Sequence, residues 1–197
     1  MRKIKKAHKT KEIFESIKNG DDCFEFPYGD DFGVEEIKVL FEALKENPSV
    51  TSIKFDESNL YDENMDFFCE CLKTNTTLES LNFMWVLFDG KQMQIFSDAL
   101  KINYTIKDVS FWRSEIDDQE MSIFCEALKI NNSLLRLYFS DFCFQSQGLI
   151  YLAEALKVNS SLQEIEICDD VDFDENSINI LLDALKINSS LTNFDIS

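Results

Sequence analysis

The sequence predicts an α/β solenoid of about six units, each a strand, a turn and a helix, with all strands in one parallel sheet. Three observations predict it. The triplet Ala-Leu-Lys recurs at Ala43-Leu44-Lys45, Ala99-Leu100-Lys101, Ala127-Leu128-Lys129, Ala155-Leu156-Lys157 and Ala184-Leu185-Lys186. Cys71-Leu72-Lys73 fills the one gap, so the leucines stand 28, 28, 28, 28 and 29 residues apart. Two residues after each lysine comes an asparagine, at Asn47, Asn75, Asn103, Asn131, Asn159 and Asn188, and each leads into a stretch patterned L-x-x-L-x-L. A period of this length is the signature of a stacked repeat.

Each element follows from the pattern. An asparagine at the end of a helix closes it through an Asx turn or a left-handed residue. The stretches after it carry Val50, Ile53, Phe55; Leu78, Leu81, Phe83; Ile106, Val109, Phe111; Leu134, Leu137, Phe139; Leu162, Ile165, Ile167; and Leu191, Phe194, Ile196. The last L-x-L of each reads as a strand with one buried face. Polar residues follow, and then apolar positions at helical spacing, such as Met121, Phe124, Cys125 and Leu128, mark one helix per unit. Superposed, the helices form columns, one of them Ile37, Met65, Met93, Met121, Leu149, Ile178 and another Leu40, Phe68, Phe96, Phe124, Leu152, Leu181. Such columns let neighbours share a core that no single unit buries. Because a helix returns the chain after each strand, successive strands pair in parallel, and six or seven of them make a wall roughly 30 Å across.

The ends differ from the middle. Residues 1–22 read as a basic helical cap, with a helix over 10–19 whose Ile13, Phe14 and Ile17 cover the first unit. Cys23 to Phe26 read as a short leading strand, so the repeat domain is assigned to residues 23–197. The sequence stops at Ile196-Ser197, directly after a strand. That edge either pairs weakly with another copy or, in a monomer, is covered by the strand's own polar residues.

A chain of 197 residues with 45% hydrophobic content buries one sizeable core. Its net charge of −18 excludes a nucleic-acid ligand, which needs concentrated cations, and suits a basic partner surface. Of the 19 basic residues, Arg2, Lys3, Lys5, Lys6, Lys9 and Lys11 fall within the first twelve positions. The basic start lacks an apolar signal run and no stretch is long enough to span a bilayer, so a cytoplasmic protein with free thiols is expected. The sequons at Asn75, Asn103, Asn131, Asn159 and Asn188 share one turn position and are generated by the repeat.

Little catalytic chemistry is available. His8 is the sole histidine, which leaves no triad and no typical zinc cluster, and five glycines make no phosphate cradle. Cys69 and Cys125 share a helix column and read as core. Asp62, Glu63, Asp117 and Asp118 precede helices, where they cap exposed N–H groups. No catalytic residue, cofactor or metal is assigned, and the chain is expected not to be an enzyme.

The L-x-x-L-x-L stretch followed by a helix ending A-L-K-x-N-x-S-L resembles the ribonuclease-inhibitor-like class of leucine-rich repeats over about residues 35–197. The class includes ribonuclease inhibitor, the sensor ends of NOD-like receptors, tropomodulin and the Ran GTPase-activating protein. Short repeat proteins injected into host cells by intracellular bacteria are also similar. The resemblance implies a curved horseshoe, with the parallel sheet concave and the helices convex, that binds proteins on its concave face. Where many such repeats carry an asparagine after the strand, this sequence has Ser58, Val86, Ser114, Phe142 and Asp170, so a ladder of asparagines there is not expected.

Strand alternation places on the concave side or its rim Ser52, Lys54, Asp56 and Glu57; Ser80, Asn82, Met84 and Trp85; Asp108, Ser110, Trp112 and Arg113; Arg136, Tyr138, Ser140 and Asp141; and the acidic Glu164, Glu166 and Asp169. Both tryptophans and two of the three arginines fall there within three successive units. The candidate partner-binding residues are Met84, Trp85, Trp112, Arg113, Arg136 and Tyr138, of the types that dominate binding hot spots. The tryptophans alternatively fold over the strand-to-helix turns as edge packing. The expected function is a protein-interaction scaffold, an injected effector among the possibilities. Two alternatives stand beside it: a regulator such as a GTPase activator using Arg113, and a self-assembling repeat protein.

Overall fold

The computed structural model describes residues 22–26, 33–56, 60, 63–141, 143–168 and 172–196, together with Lys11, Glu15 and Ile17. Each L-x-L segment becomes a strand because its two apolar side chains share one face of the pleat. The strands are β1 (Cys23–Glu25), β2 (Ser52–Asp56), β3 (Ser80–Met84), β4 (Asp108–Trp112), β5 (Arg136–Ser140), β6 (Glu164–Cys168) and β7 (Asn193–Ile196). They form one parallel sheet in chain order, β1 to β7. The register keeps equivalent residues side by side, as in the row Ser80, Asp108, Arg136, Glu164. One face therefore carries rows of like position rather than a mixture.

Between strands run the helices α1 (Val34–Glu46), α2 (Glu63–Thr74), α3 (Gly90–Leu100), α4 (Asp118–Leu128), α5 (Ser146–Leu156) and α6 (Glu175–Ile187). The columns read from the sequence are buried from Ile37 to Leu149 and from Leu40 to Leu181, and Ile178 is partly buried. Of the three residues expected to cover the first unit, Ile13 and Phe14 lie outside the described residues. Ile17 is helical and buried, and its carbonyl accepts a hydrogen bond from the Asn47 side chain.

Phenylalanine carries the core along the stack. Phe26, Phe55, Phe83, Phe111 and Phe139, one from each successive unit, stack ring on ring at 4.8, 5.4, 5.6 and 5.5 Å. Phe68, Phe96 and Phe124 on the helices meet this stack edge-on at 5.1, 5.2 and 5.4 Å. Both arrangements match the preference of aromatic quadrupoles for offset or edge contacts.

The polar counterpart lies at the helix ends. Asn131 Oδ1 accepts from the Ser133 and Leu134 amides at 3.0 and 2.8 Å, which is the Asx turn expected there. Its Nδ2 donates to the carbonyls of Leu100 and Asn103 in the preceding unit at 2.6 and 3.2 Å. Asn103, Asn159 and Asn188 repeat both halves of the arrangement. An asparagine ladder thus exists, at the turns after α3 to α6. At the turn after the strand, Val86 is buried as an apolar filler, and Ser114 donates to the Phe83 carbonyl at 3.4 Å. Ser58, Phe142 and Asp170 lie outside the described residues.

Helix starts are capped by carboxylates, not always their own. Asp89, Asp117 and Asp174 cap α3, α4 and α6. The α5 cap position is Gln145, which makes no side-chain cap, and Asp118 of the preceding unit accepts from the Gln145 and Gly148 amides, both at 2.7 Å. Asp62 lies outside the described residues. A side chain at Gly148 would place its Cβ 2.8 Å from Phe144 and 2.9 Å from Asp118 Oδ1. Gly148→Ala, which raises helix propensity at most sites, is therefore expected to destabilise the protein by about 1–3 kcal/mol. A urea midpoint equal to or above that of the parent would overturn the expectation.

The α4 start also holds a titrating pair. Glu120 is buried and accepts from the Asp117 amide at 3.2 Å. Burial, and then a proton shared with the Asp117 carboxylate, push its pKa up to about 7, while the same bond lowers Asp117. Because the folded state holds this proton more tightly, the stability it brings is complete below about pH 4.5 and is lost as pH rises through about 7. The parent is expected to lose more stability than Glu120→Gln between pH 5 and pH 8. Parallel losses in two urea series would refute the assignment.

Candidate protein-binding face

The helices cover one face of the sheet, and the other carries the remaining side chain of each alternating pair. Three rows cross it. Across β2 to β7 the first runs Ser52, Ser80, Asp108, Arg136, Glu164, Asn193. The second runs Lys54, Asn82, Ser110, Tyr138, Glu166, Asp195, and the third runs Met84, Trp112, Ser140 at the strand exits. Among the described residues these positions are half-buried or exposed, against buried partners such as Leu81, Phe83, Leu137 and Phe139.

The strand exits are unusual in their backbone. Trp85, Arg113 and Asp141, each the first residue after its strand, have φ of 58°, 51° and 51°. This left-handed region disfavours residues with a Cβ, and its occupation costs on the order of 1–3 kcal/mol each. The conformation is held by one further rung of the sheet ladder, with the Trp85 amide donating to the Trp112 carbonyl at 2.9 Å and the Arg113 amide to Ser140 at 2.8 Å.

At this rim the Arg113 guanidinium lies 4.8 Å over the Trp85 ring and its Nε donates to Asp141 at 2.9 Å. Trp85 and Trp112 stay 48% and 49% exposed, so edge packing accounts for only half of their surface. Leu87, 43% exposed between buried Val86 and Phe88, extends the patch. Sequence reasoning missed it, although its buried neighbours leave it outward by alternation.

The other candidates sit deeper in the face. Arg136 grips Asp108 with two contacts, Nη2 to Oδ2 at 2.7 Å and Nε to Oδ1 at 2.5 Å. Tyr138 donates to Glu164 at 3.4 Å, and partial burial followed by the Glu164 charge raises its pKa. The six sequence candidates thus divide into a rim group of Met84, Trp85, Trp112 and Arg113 and a central pair of Arg136 and Tyr138 fixed by carboxylates. Toward β7 the face turns acidic, where Glu164, Glu166 and Asp195 form no ion pair with a described residue.

No protein-family model matches the chain, and no curated protein is similar to it in sequence. Among the solved structures that share its fold are domains of leiomodin-1 and tropomodulin. The actin-binding site 2 of leiomodin-1 superposes with a TM-score of 0.61 at 21% identity, covering 79% of this chain and 86% of that one. The tropomodulin C-terminal domain of Caenorhabditis elegans gives 0.59 at 18% identity, covering 68% and 83%. The fold is a leucine-rich-repeat solenoid. Within its repeats, Cys69 and Cys125 are buried and their thiols are pushed well above the ordinary range, so they are core groups and not nucleophiles. Among the described residues no group of His, Cys, Asp and Glu is arranged to hold a metal. No helix among the described residues is long and apolar enough to cross a membrane.

Proposed function

We propose that the protein is a binding scaffold that holds a partner protein on the open face of its sheet, anchored at the rim by Trp85, Trp112, Arg113 and Met84 and positioned by Arg136 and Tyr138. The observation that carries this reading is the pair of half-exposed tryptophans on adjacent units, one of them under the Arg113 guanidinium. Large rigid rings with a cation stacked on them offer contact area at small entropic cost, the usual composition of a hot spot. The solenoid fold supports it, and the leiomodin-1 domain of the same fold, named as an actin-binding site, makes actin one partner to test. The period and the A-L-K-x-N-x-S-L ending also lead us to assign the repeats to the ribonuclease-inhibitor-like class.

The setting of Arg113 does not favour a GTPase-activating role, since its side chain is engaged by both Trp85 and Asp141. The test compares the intact protein with a folded Trp85→Ala, Trp112→Ala, Tyr138→Ala variant, in capture from cytosolic extract and in direct binding to actin. The variant is expected to lose at least about a hundredfold in affinity for whichever protein the parent holds. Equal binding by both would move the site off this face.

A further inference from the structure

A second exposed apolar surface lies on another edge of the solenoid, at the turn between each helix and its ladder asparagine. The residue after the lysine of each triplet is Ile102, Ile130, Val158 and Ile187 in the last four units, and these are 58%, 55%, 61% and 63% exposed. Tyr104, at 71%, stands beside the first. The same turn holds the exposed Glu46 and Thr74 in the first two units, so the fold does not require an apolar residue there. The ladder brings successive turns into hydrogen-bond contact, Asn131 to Asn103 and Asn159 to Asn131 at 3.2 Å each, so these aliphatic residues fall in register as one row. Together with Tyr104 their combined exposed area is roughly 500 Å², near the upper end for an apolar patch on a monomer.

Two properties say what covers the row. The first is charge. Lys101, Lys129, Lys157 and Lys186 flank it, each ion-paired to the carboxylate three residues earlier at 2.8, 2.5, 2.6 and 2.8 Å. This edge is locally neutral on a chain of net charge −18, so an acidic second copy is repelled least here, while a cationic partner is drawn elsewhere. The second is spacing. A row set by the rise of this repeat is matched over three steps by another row of the same rise, whereas a lone helix or strand drifts out of register.

We propose that this row is a self-association interface. Two copies pack edge to edge about a two-fold axis, with Ile102 opposite Ile187 and Ile130 opposite Val158 of the second copy. The arrangement is isologous and closed, and the row with its lysine margins approaches the roughly 800 Å² per partner of a standard interface. It uses neither the open sheet face nor β7.

Sedimentation equilibrium of the full chain over a wide dilution series tests it. The parent is expected to pass from monomer to dimer at concentrations on the order of micromolar, and more tightly as salt screens the net charge. Ile130→Asp with Val158→Asp, at exposed positions that leave circular dichroism unchanged, is expected to weaken the dimer at least about a hundredfold. The Trp85→Ala, Trp112→Ala variant is expected to dimerise like the parent, which keeps this result separate from the partner-binding reading. A parent that stays monomeric throughout would overturn the proposal. A dimer indifferent to the double aspartate would overturn it too. So would a monomeric parent whose binding to phosphatidylcholine vesicles the double aspartate abolishes, which would assign the row to a lipid surface.

Discussion

Phe111→Ala is expected to lower the stability of the folded chain by about 3–5 kcal/mol and to make unfolding less cooperative. The Phe111 ring is fully buried between Phe83 at 5.6 Å and Phe139 at 5.5 Å, with the edges of Phe88, Phe96 and Phe124 around it. It therefore belongs to the interfaces on both sides of the central unit. In a solenoid each unit touches only its neighbours, so no distant contact substitutes for a weakened middle. A urea titration should show a lower midpoint and a shallower slope, as the two halves begin to unfold apart. A loss below about 1 kcal/mol with an unchanged slope would show that the ring stack does not couple the units.

Asn131→Asp is expected to cost a similar amount at neutral pH, about 3–5 kcal/mol, although it replaces one atom. The buried Asn131 amide donates to the carbonyls of Leu100 and Asn103. A carboxylate there would turn an anionic oxygen toward two acceptors and leave both unsatisfied. Protonation restores one donor, so the introduced carboxyl has its folded pKa raised. The deficit should thus be smallest at low pH and grow as pH rises through that value. Asn131→Ala, which removes the donor without adding charge, should cost about 2–4 kcal/mol with no such pH dependence. Urea midpoints of parent and both variants at pH 4.5 and pH 7 check this, and equal deficits for Asp at the two pH values would refute it.

The repeat was legible because its signals reinforce one another: leucine and phenylalanine at fixed spacing, alanine where helices crowd, asparagine where they stop. Alternation alone placed Ser80, Asn82 and Met84 opposite Leu81 and Phe83, as observed. What stayed hidden depends on atoms far apart in sequence or on backbone angles without a compositional marker. Left-handed residues are usually announced by glycine or asparagine, and here they are Trp85, Arg113 and Asp141. Asp118 opens its own helix and reads from the sequence as a cap there, yet it serves the helix of the next unit. The row from Ile102 to Ile187 could be seen by superposition, but only burial separates it from a core column.

The hydrogen bonds of the asparagine turns run from one unit to the unit before it, between the same atoms each time. Position along the molecule is thus defined only relative to a neighbour. Excising residues 131–158 would bring Asn159 against the carbonyl of Asn103 in place of Asn131, with the same chemistry on both sides of the splice. The protein is in this respect a ruler graduated in whole units, whose length can be shortened or extended by gene duplication and deletion without redesigning the asparagine turns.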